Sequence, residues 1–512
     1  MMKRILLLLV CVTIVFGISG CGKAVSTDGS GNKSSPLKFS ILTVDMGGYI
    51  AGSDDIYKDP FVTAFNKKFN VDIEFLTISQ SQQIAQQMQV IFASGKIPDI
   101  VMMFDNYQRV EMGNSVQSGA YMELDEALSR NKDKLKNYMA RVPENVWNEV
   151  KYNGKTIGLP AGFLKPAGRR GTYIRMDLLK KYNLEVPKTV DDFINVMRVF
   201  KQNGLKYPYS GRQEFGYTDI FFGAYGVTPD MQWNLDKEGN LIPDIINPKM
   251  KQALALHTKL REEGLMDNES LVNTMSVWNN KINNGDVGIF GHNAKSLGTW
   301  NKDIKANVPD AEWALIPSPI GPEGDRGIFL YPELYTTIYI NKNYKEVDRF
   351  LALMDTLSTE DADEFFAFGV EGENYTKENG KVKFEYPTEP TEVQRLSFRT
   401  GYMFNFVENK AYNKLLLPYL PYGKEMMSWF ENIAPNEGVH WYDPGNLASF
   451  DKYPDLKPGS CPLFNEYAAK IFYGQVPISD FDKFVDEYLK RGGSELVKEA
   501  TENYKAGKAF YR

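Results

Sequence analysis

The chain has 512 residues, of which 43% are hydrophobic, so it is long enough for two or more domains and can bury large cores. A net charge of −6, without any strongly basic segment, argues against nucleic acid as a partner. After residue 20, no apolar run approaches the roughly 20 residues of a membrane-spanning helix.

The first 20 residues have the pattern of an export signal, and residue 21 is a cysteine. A basic start at residues 1–4 precedes an apolar run over residues 5–18, and Ser19 and Gly20 are small residues directly before Cys21. This arrangement resembles the lipobox of bacterial lipoproteins, which implies cleavage before Cys21 and attachment of a diacylglycerol to its thiol. Two acyl chains anchor a protein stably in a bilayer. The alternative is an ordinary secretory signal with a chance cysteine.

A flexible tether is predicted over residues 21–36, which are rich in Gly and Ser and show no apolar periodicity. Such a coil spans on the order of 20 Å, so the folded part would stay close to the outer face of the cell membrane. In the mature chain Cys461 would be the only other cysteine, so no internal disulfide can form. We expect Cys461 to be a small buried residue.

The folded part opens with a β–α–β–α–β pattern. Alternating or continuous apolar residues predict strands at 37–44, 71–75 and 99–104, with helices at 56–69 and 81–93 between them. The third strand is apolar at nearly every position, as in parallel sheets that are covered on both faces. This pattern favours an α/β architecture.

Two later helices carry a capping-box-like start. Thr189 with Asp192 opens a helix that ends at residues 203–204, and Ser479 with Asp482 opens another. Both segments have apolar residues at helical spacing. A last helix is predicted over residues 494–504.

The chain lacks a recognisable catalytic, cofactor or metal motif. The three histidines, His257, His292 and His440, have no partner at metal-ligand spacing. An acidic loop at residues 234–239 hints at a calcium site, but Ile245 occupies the position of the bidentate glutamate, so a hairpin is the better interpretation. We therefore predict no catalytic residue, cofactor or metal.

Several stretches together resemble extracellular solute-binding protein family 1, in particular the large lipoproteins of carbohydrate ABC importers in Gram-positive bacteria of the Bacillus–Paenibacillus kind. They are FASGKIPDI (92–100), NGKTIGLP (153–160), YIRMDLL (173–179), VPKTVDDF (186–193), GVEGENY (369–375) and ISDFDKFV (478–485). One departure is Leu178, which follows Asp177 where a tryptophan often stands, so any ligand role of that tryptophan is absent.

The resemblance implies an α/β, two-lobed, periplasmic-binding-protein-like (Venus flytrap) fold with crossing hinge segments and a ligand between the lobes. We expect lobe 1 at 37–165 with a returning segment at about 325–390, and lobe 2 at 166–324 with much of 391–512. The resemblance implies capture of a carbohydrate, expected to be an oligosaccharide, by a monomer that delivers it to ABC permease subunits without covalent chemistry. Two alternatives remain, an anchored carbohydrate-active enzyme and a ligand-presenting subunit of a sensor.

A sugar site needs aromatic faces against the apolar faces of the ring, and charged or amide groups around its hydroxyls. Loops at the carboxyl ends of strands face the ligand in α/β sheets. We therefore predict eleven ligand-binding residues, taken from these loops and from polar or aromatic residues in other predicted loops or element ends. They are Asp45, Tyr49, Asp105, Asn106, Tyr107, Arg170, Trp233, Trp278, Trp300, Glu371 and Trp441. For each, a structural role in the core or in a turn is the alternative.

Overall fold

The computed structural model describes most of the chain after residue 34. The described residues are 35–45, 48–79, 84–104, 116, 118–163, 169–230, 232–331, 333–403, 414–445, 447–456 and 461–511. The predicted signal peptide, Cys21, nearly all of the tether, and the candidates Asp105, Asn106 and Tyr107 lie outside the described residues.

The strands are numbered in chain order. They are β1 Leu37–Asp45, β2 Val71–Ser79, β3 Ile100–Phe104, β4 Lys151–Tyr152, β5 Lys155–Thr156, β6 Leu159–Phe163, β7 Arg170–Arg175, β8 Tyr207–Tyr209, β9 Trp233–Leu235, β10 Leu241–Pro243, β11 Val287–Asn293, β12 Trp313–Ile316, β13 Leu334–Ile340, β14 Thr376–Glu378, β15 Lys381–Lys383, β16 Tyr442–Asp443 and β17 Phe510–Tyr511.

The α-helices lie between these strands and dominate the last quarter of the chain. They are Pro60–Phe69, Ile84–Ala93, Asp125–Arg130, Lys136–Arg141, Met176–Lys181, Val190–Gln202, Asp219–Gly223, Pro248–Glu262, Met275–Asn283, Leu297–Lys305, Val347–Leu357, Glu360–Phe368, Pro390–Ser397, Gly423–Ser428, Ser449–Lys452, Pro462–Phe472, Asp480–Tyr488 and Ser494–Lys505. No helix in this described part is both long and apolar enough to span a bilayer.

The first sheet has the strand order β2-β1-β3-β13-β6. Strand β1 pairs in parallel with β2 and β3, whereas β13 runs antiparallel to both β3 and β6. The predicted β–α–β–α–β opening is therefore confirmed, with β1 between its two successors. Residues Ile100 to Met103 of β3 are at most 1% exposed, as their continuous apolar pattern predicts.

The second sheet has the order β12-β7-β11-β8, and a third has the order β10-β9-β16-β17. In the second sheet only β8 and β11 run in parallel. In the third, β9 and β10 form the hairpin predicted in place of a calcium loop. The Asp236 carboxylate accepts hydrogen bonds from the backbone N–H groups of Glu238 and Asn240, which closes that turn.

Two separate hydrophobic cores form around these sheets. The first takes its residues from Leu37 to Phe163 and again from Leu334 to Leu416. The second takes its residues from Tyr173 to Ile328 and again from Leu417 onward. The chain thus crosses from one core to the other three times, which gives the two-lobed α/β fold its crossing segments. The lobe boundaries named above stay a prediction.

The two predicted caps have different outcomes. Thr189 and Asp192 form a capping box, in which the Thr189 hydroxyl accepts from the N–H of Asp192 and the Asp192 carboxylate accepts from the N–H of Thr189. The cap at Ser479 is wrong in detail, because Ser479 already has helical backbone angles and its side chain accepts no capping hydrogen bond. The Asp482 carboxylate instead accepts from Lys251 at 2.6 Å.

Candidate functional site

Two of the crossing segments meet through arginine and aromatic side chains. Arg169 and Arg170 lie on the first crossing, between Phe163 and Tyr173, and residues 329–331 lie on the second. The Arg170 guanidinium carbon is 5.2 Å from the ring centre of Phe329 and 5.8 Å from that of Tyr331, and Arg169 lies 5.7 Å from Tyr331. Cation–π contacts of this kind join the crossings.

Arg170 is also the centre of an ion-pair group. Its Nη1 is 3.1 Å from the Asp219 carboxylate and 3.6 Å from that of Asp230. Burial is the largest single effect and would lower the pKa of Arg170, but the charge of Asp219 and the smaller contributions of its other neighbours together outweigh it, so the pKa is held well above its usual value. Asp219 also accepts from the backbone N–H of Phe329 at 2.9 Å, so this carboxylate ties both crossings together. Arg170 is therefore a charged, fixed group, and 13% of its side chain stays exposed.

The other face of the site is an aromatic cluster. The Tyr217 ring lies 4.7 Å from the Arg170 guanidinium, is stacked on Trp278 at 5.5 Å, and is 4.9 Å from the His292 ring. The Trp300 indole Nε1 donates to His292 Nδ1 at 3.2 Å. Trp278 and Trp300 are buried, whereas Tyr217 and His292 are half-buried. The two tryptophans thus support the rings that solvent can reach.

His292 is neutral in this setting. Burial, and then the positive charges of Arg170 and Arg212, lower the pKa of His292 to about 3. Because Nδ1 accepts the Trp300 hydrogen bond, the proton of the neutral ring is on Nε2. The ring is therefore a hydrogen-bond donor through Nε2 at any physiological pH.

The loop that presents Tyr217 has a strained backbone. Glu214, Phe215 and Tyr217 have φ values of 56°, 59° and 61°, in the left-handed region that favours glycine. Each such residue costs on the order of 1–3 kcal/mol unless its surroundings enforce the conformation. The loop is held by a hydrogen bond from the Arg212 N–H to the Gly216 carbonyl and by the buried Phe215 ring. Strain of this kind is concentrated at ligand-binding loops.

The second crossing is held from its other side by the third sheet. The Leu330 carbonyl accepts hydrogen bonds from Trp441 Nε1 at 3.0 Å and from Gln232 Nε2 at 3.3 Å. Trp441 is half-buried, whereas Trp233 on β9 is only 1% exposed and belongs to the core. Trp441 therefore lies beside the segment that contacts Arg170.

The remaining described candidates lie elsewhere. The buried Asp45 carboxylate accepts from the N–H groups of Ile50 and Ala51 and so closes the turn after β1. The Tyr49 hydroxyl donates to Asp59 at 2.6 Å. Glu371 is exposed, in a turn where its backbone pairs with that of Tyr375. The structure thus links Arg170, Trp278 and Trp300 through the rings of Tyr217 and His292, and a contact of these candidates with a ligand stays a prediction.

Tyr217, Phe329, Tyr331 and Asp230 belong to the candidate site but were not among the residues predicted from the sequence. Tyr217, Phe329, Tyr331 and Asp230 are half-buried, and the Asp230 side chain is 41% exposed. Together with Arg170 they offer flat aromatic faces beside charged hydrogen-bonding groups, which is what a sugar ring requires. One signal in the sequence indicates a partner for Arg170: this residue stands at the start of a buried strand, where a charged residue needs a partner.

Two surface depressions of about 360 and 410 Å³ lie along the helix Ser494–Lys505. Their linings contain lysine and glutamate side chains but no aromatic ring, so they do not suit a sugar. In the described part of the chain, no group of three or more His, Cys, Asp or Glu side chains is placed to hold a metal ion.

Two proteins of Bacillus subtilis are similar to this chain over nearly its whole length. The polygalacturonan/rhamnogalacturonan-binding protein YtcQ of Bacillus subtilis (strain 168) is 23% identical over 540 residues, which cover 99% of each chain. Lipoprotein LipO of the same organism is 22% identical over 96% of each chain. The fructooligosaccharide-binding protein FusA of Streptococcus pneumoniae is 22% identical over 61% of this chain and 60% of its own.

Solved structures share the fold over nearly the whole chain. FusA with fructo-nystose superposes with a TM-score of 0.68 at 16% identity, and covers 93% of this chain and 99% of its own. Alginate-binding protein AlgQ2 gives a TM-score of 0.63 at 16% identity, over 92% and 99%. Residues 48–364, more than half of the chain, match the family described as bacterial extracellular solute-binding protein. The two-lobed α/β fold and this match agree, and the chain belongs to the bacterial extracellular solute-binding proteins.

Proposed function

We propose that this protein is a lipid-anchored receptor that captures an oligosaccharide outside the cell and delivers it to an ABC permease. The observation that carries the proposal is the group of half-buried rings around Arg170, where Tyr217, Phe329 and Tyr331 border a fixed guanidinium and the Asp230 carboxylate. Rings of this kind pack against the apolar faces of a pyranose, and the charged groups bind its hydroxyls.

The relatives support a carbohydrate ligand but not a particular one. Their names refer to polygalacturonan, rhamnogalacturonan, fructooligosaccharides and alginate, which share a chain of sugar units and differ in charge and linkage. Since the family binds solutes, the protein would release its ligand unchanged. Hinge closure around the ligand is the standard transition of such receptors, and here it would bend the crossing segments.

The binding part of the proposal is tested by calorimetry of the purified protein against a panel of neutral and acidic oligosaccharides. We expect micromolar or tighter binding of at least one sugar, weakened at least tenfold in Tyr217→Ala. The matched control is Tyr57→Ala, which removes an exposed tyrosine of the first core region, 49% exposed, and leaves sugar affinity unchanged. If no sugar binds, the proposal fails.

The anchoring part is tested separately in cells. A Cys21→Ser variant should lose acylation and appear in the medium, whereas the unaltered chain should stay in the membrane fraction. If the Cys21→Ser variant is retained like the unaltered chain, the lipid anchor is refuted and the binding proposal is unaffected.

A further inference from the structure

The positive charge of Arg212, a residue of the candidate site, is not explained by binding to sugar hydroxyls alone. It lies on the strained loop that presents Tyr217, and its guanidinium carbon is 5.3 Å from the Tyr217 ring centre. The guanidinium of Arg170 lies 4.7 Å from the same ring centre. Two positive charges therefore share one aromatic ring.

The two arginines differ in their partners. Arg170 has the carboxylates of Asp219 and Asp230 within 3.6 Å. Arg212 forms no ion pair with a carboxylate of the described residues, whereas the Nε atoms of both arginines are alike in being buried without a hydrogen-bond partner there. The Arg212 guanidinium therefore lies near a like charge without the carboxylates that compensate Arg170.

The neighbours of Arg212 do not supply the missing negative charge. His292, whose pKa is lowered in part by Arg212, is neutral. Tyr217 has a pKa raised by burial, so its hydroxyl stays protonated. The backbone of Arg212 is held by the hydrogen bond from its N–H to the Gly216 carbonyl, although no carboxylate in the described part of the chain pairs with its side chain.

We propose that Arg212 binds a carboxylate of the ligand, so that the site takes an acidic oligosaccharide built from uronic acid units. This inference rests on the proposed function and narrows it. A guanidinium donates two parallel hydrogen bonds to a carboxylate, which gives specificity as well as affinity. The hydroxyls of a neutral sugar can accept hydrogen bonds from a guanidinium, but they would leave the positive charge of Arg212 uncompensated.

The test is calorimetry with trigalacturonate, trimannuronate, the methyl ester of trigalacturonate and neutral galactotriose. The purified protein should bind a uronate trisaccharide about 10- to 100-fold tighter than the ester or the neutral sugar. Arg212→Gln should remove this preference, and Arg212→Lys should keep part of it because the charge remains. Arg198→Gln, which removes a surface arginine paired with Glu263, is the control and should keep the full preference.

The possible outcomes distinguish the inference about Arg212 from the proposed binding of an oligosaccharide. If galactotriose or the methyl ester binds as tightly as the acid, or if Arg212→Gln keeps the preference, the inference about Arg212 is overturned while sugar binding stands. If neither acidic nor neutral oligosaccharides bind, the proposed function is overturned and the inference falls with it. Should Arg212→Gln unfold, the comparison of acid with ester in the unaltered protein still decides.

Discussion

Substitution of Arg170 should destabilise the protein more than substitution of its ion-pair partner Asp219, and the effects of the two substitutions should not be additive. The two side chains are 13% and 1% exposed, and 3.1 Å separates Nη1 of Arg170 from the Asp219 carboxylate. Removing one partner of a buried pair costs about 3–5 kcal/mol, since the other charge is left uncompensated. In Arg170→Gln, the Phe329 N–H is the one donor among the described residues that Asp219 keeps, so we expect a loss of about 3 kcal/mol.

Substitution of the other partner, Asp219, should lower the free energy of unfolding by less. In Asp219→Asn, the Arg170 guanidinium still has the Asp230 carboxylate at 3.6 Å and the Tyr217 and Phe329 rings around it. We expect a loss of about 1–2 kcal/mol, the usual cost of one charged hydrogen bond. The double variant should be less destabilised than the sum of the single variants by at least about 1 kcal/mol, because the second change removes a charge already unpaired.

The assay is denaturation by urea, followed by tryptophan fluorescence, with all three variants compared under one buffer condition. The matched control is Arg198→Gln, whose pair with Glu263 is 43% and 31% exposed and should contribute no more than about 1 kcal/mol. Additive single losses, within about 0.5 kcal/mol, would refute the coupling. A larger loss for Asp219→Asn than for Arg170→Gln would refute the assignment of Arg170 as the better-supported partner.

Three further expectations concern caps, pH and the free cysteine. Thr189→Ala should lower stability by about 1 kcal/mol in urea melts, whereas Ser479→Ala should change it by less than about 0.5 kcal/mol, because only Thr189 accepts a capping hydrogen bond. Because the folded pKa of His292 is about 3 and its ordinary pKa is 6.5, the unfolded chain binds the extra proton between these values; acidification from pH 6.5 to 5 should therefore cost about 1.6 kcal/mol that His292→Gln does not lose, and equal pH slopes would contradict this. Cys461 is 3% exposed and burial raises the pKa of its thiol, so it should react with a thiol reagent only after denaturation, and rapid labelling of the native protein would contradict this.

Local signals in the sequence predict the first sheet and the capped helices well. Strands β1 to β3 alternate or run apolar over five or more residues, and parallel pairing follows from the helices between them. The helix Val190–Gln202 buries Phe193, Met197 and Phe200, the face that its spacing predicts. In such segments the burial pattern and the local backbone preference agree.

The candidate site could be predicted only in part, because its geometry depends on contacts distant in sequence. The hydrogen bond from Phe329 to Asp219 joins residues 110 positions apart. His292 lies beside Arg170 because β11 and β7 pair in the register that places His292 opposite Gly171. Tyr217 owes its position to a positive φ that no local preference for tyrosine would suggest. Composition could nominate aromatic residues, but only the fold selects which of them meet.

If the ligand binds at the candidate site as proposed, the position of this site on the crossings connects binding to the motion of the fold. Any movement of one core relative to the other must bend the chain between Phe163 and Tyr173 and between Ile328 and Leu334. Arg169 and Arg170 hold these two segments together through the rings of Phe329 and Tyr331. A ligand seated on the same rings therefore contacts the segments that must bend. Its binding energy would differ between two hinge positions, and such differential affinity is what shifts a conformational equilibrium.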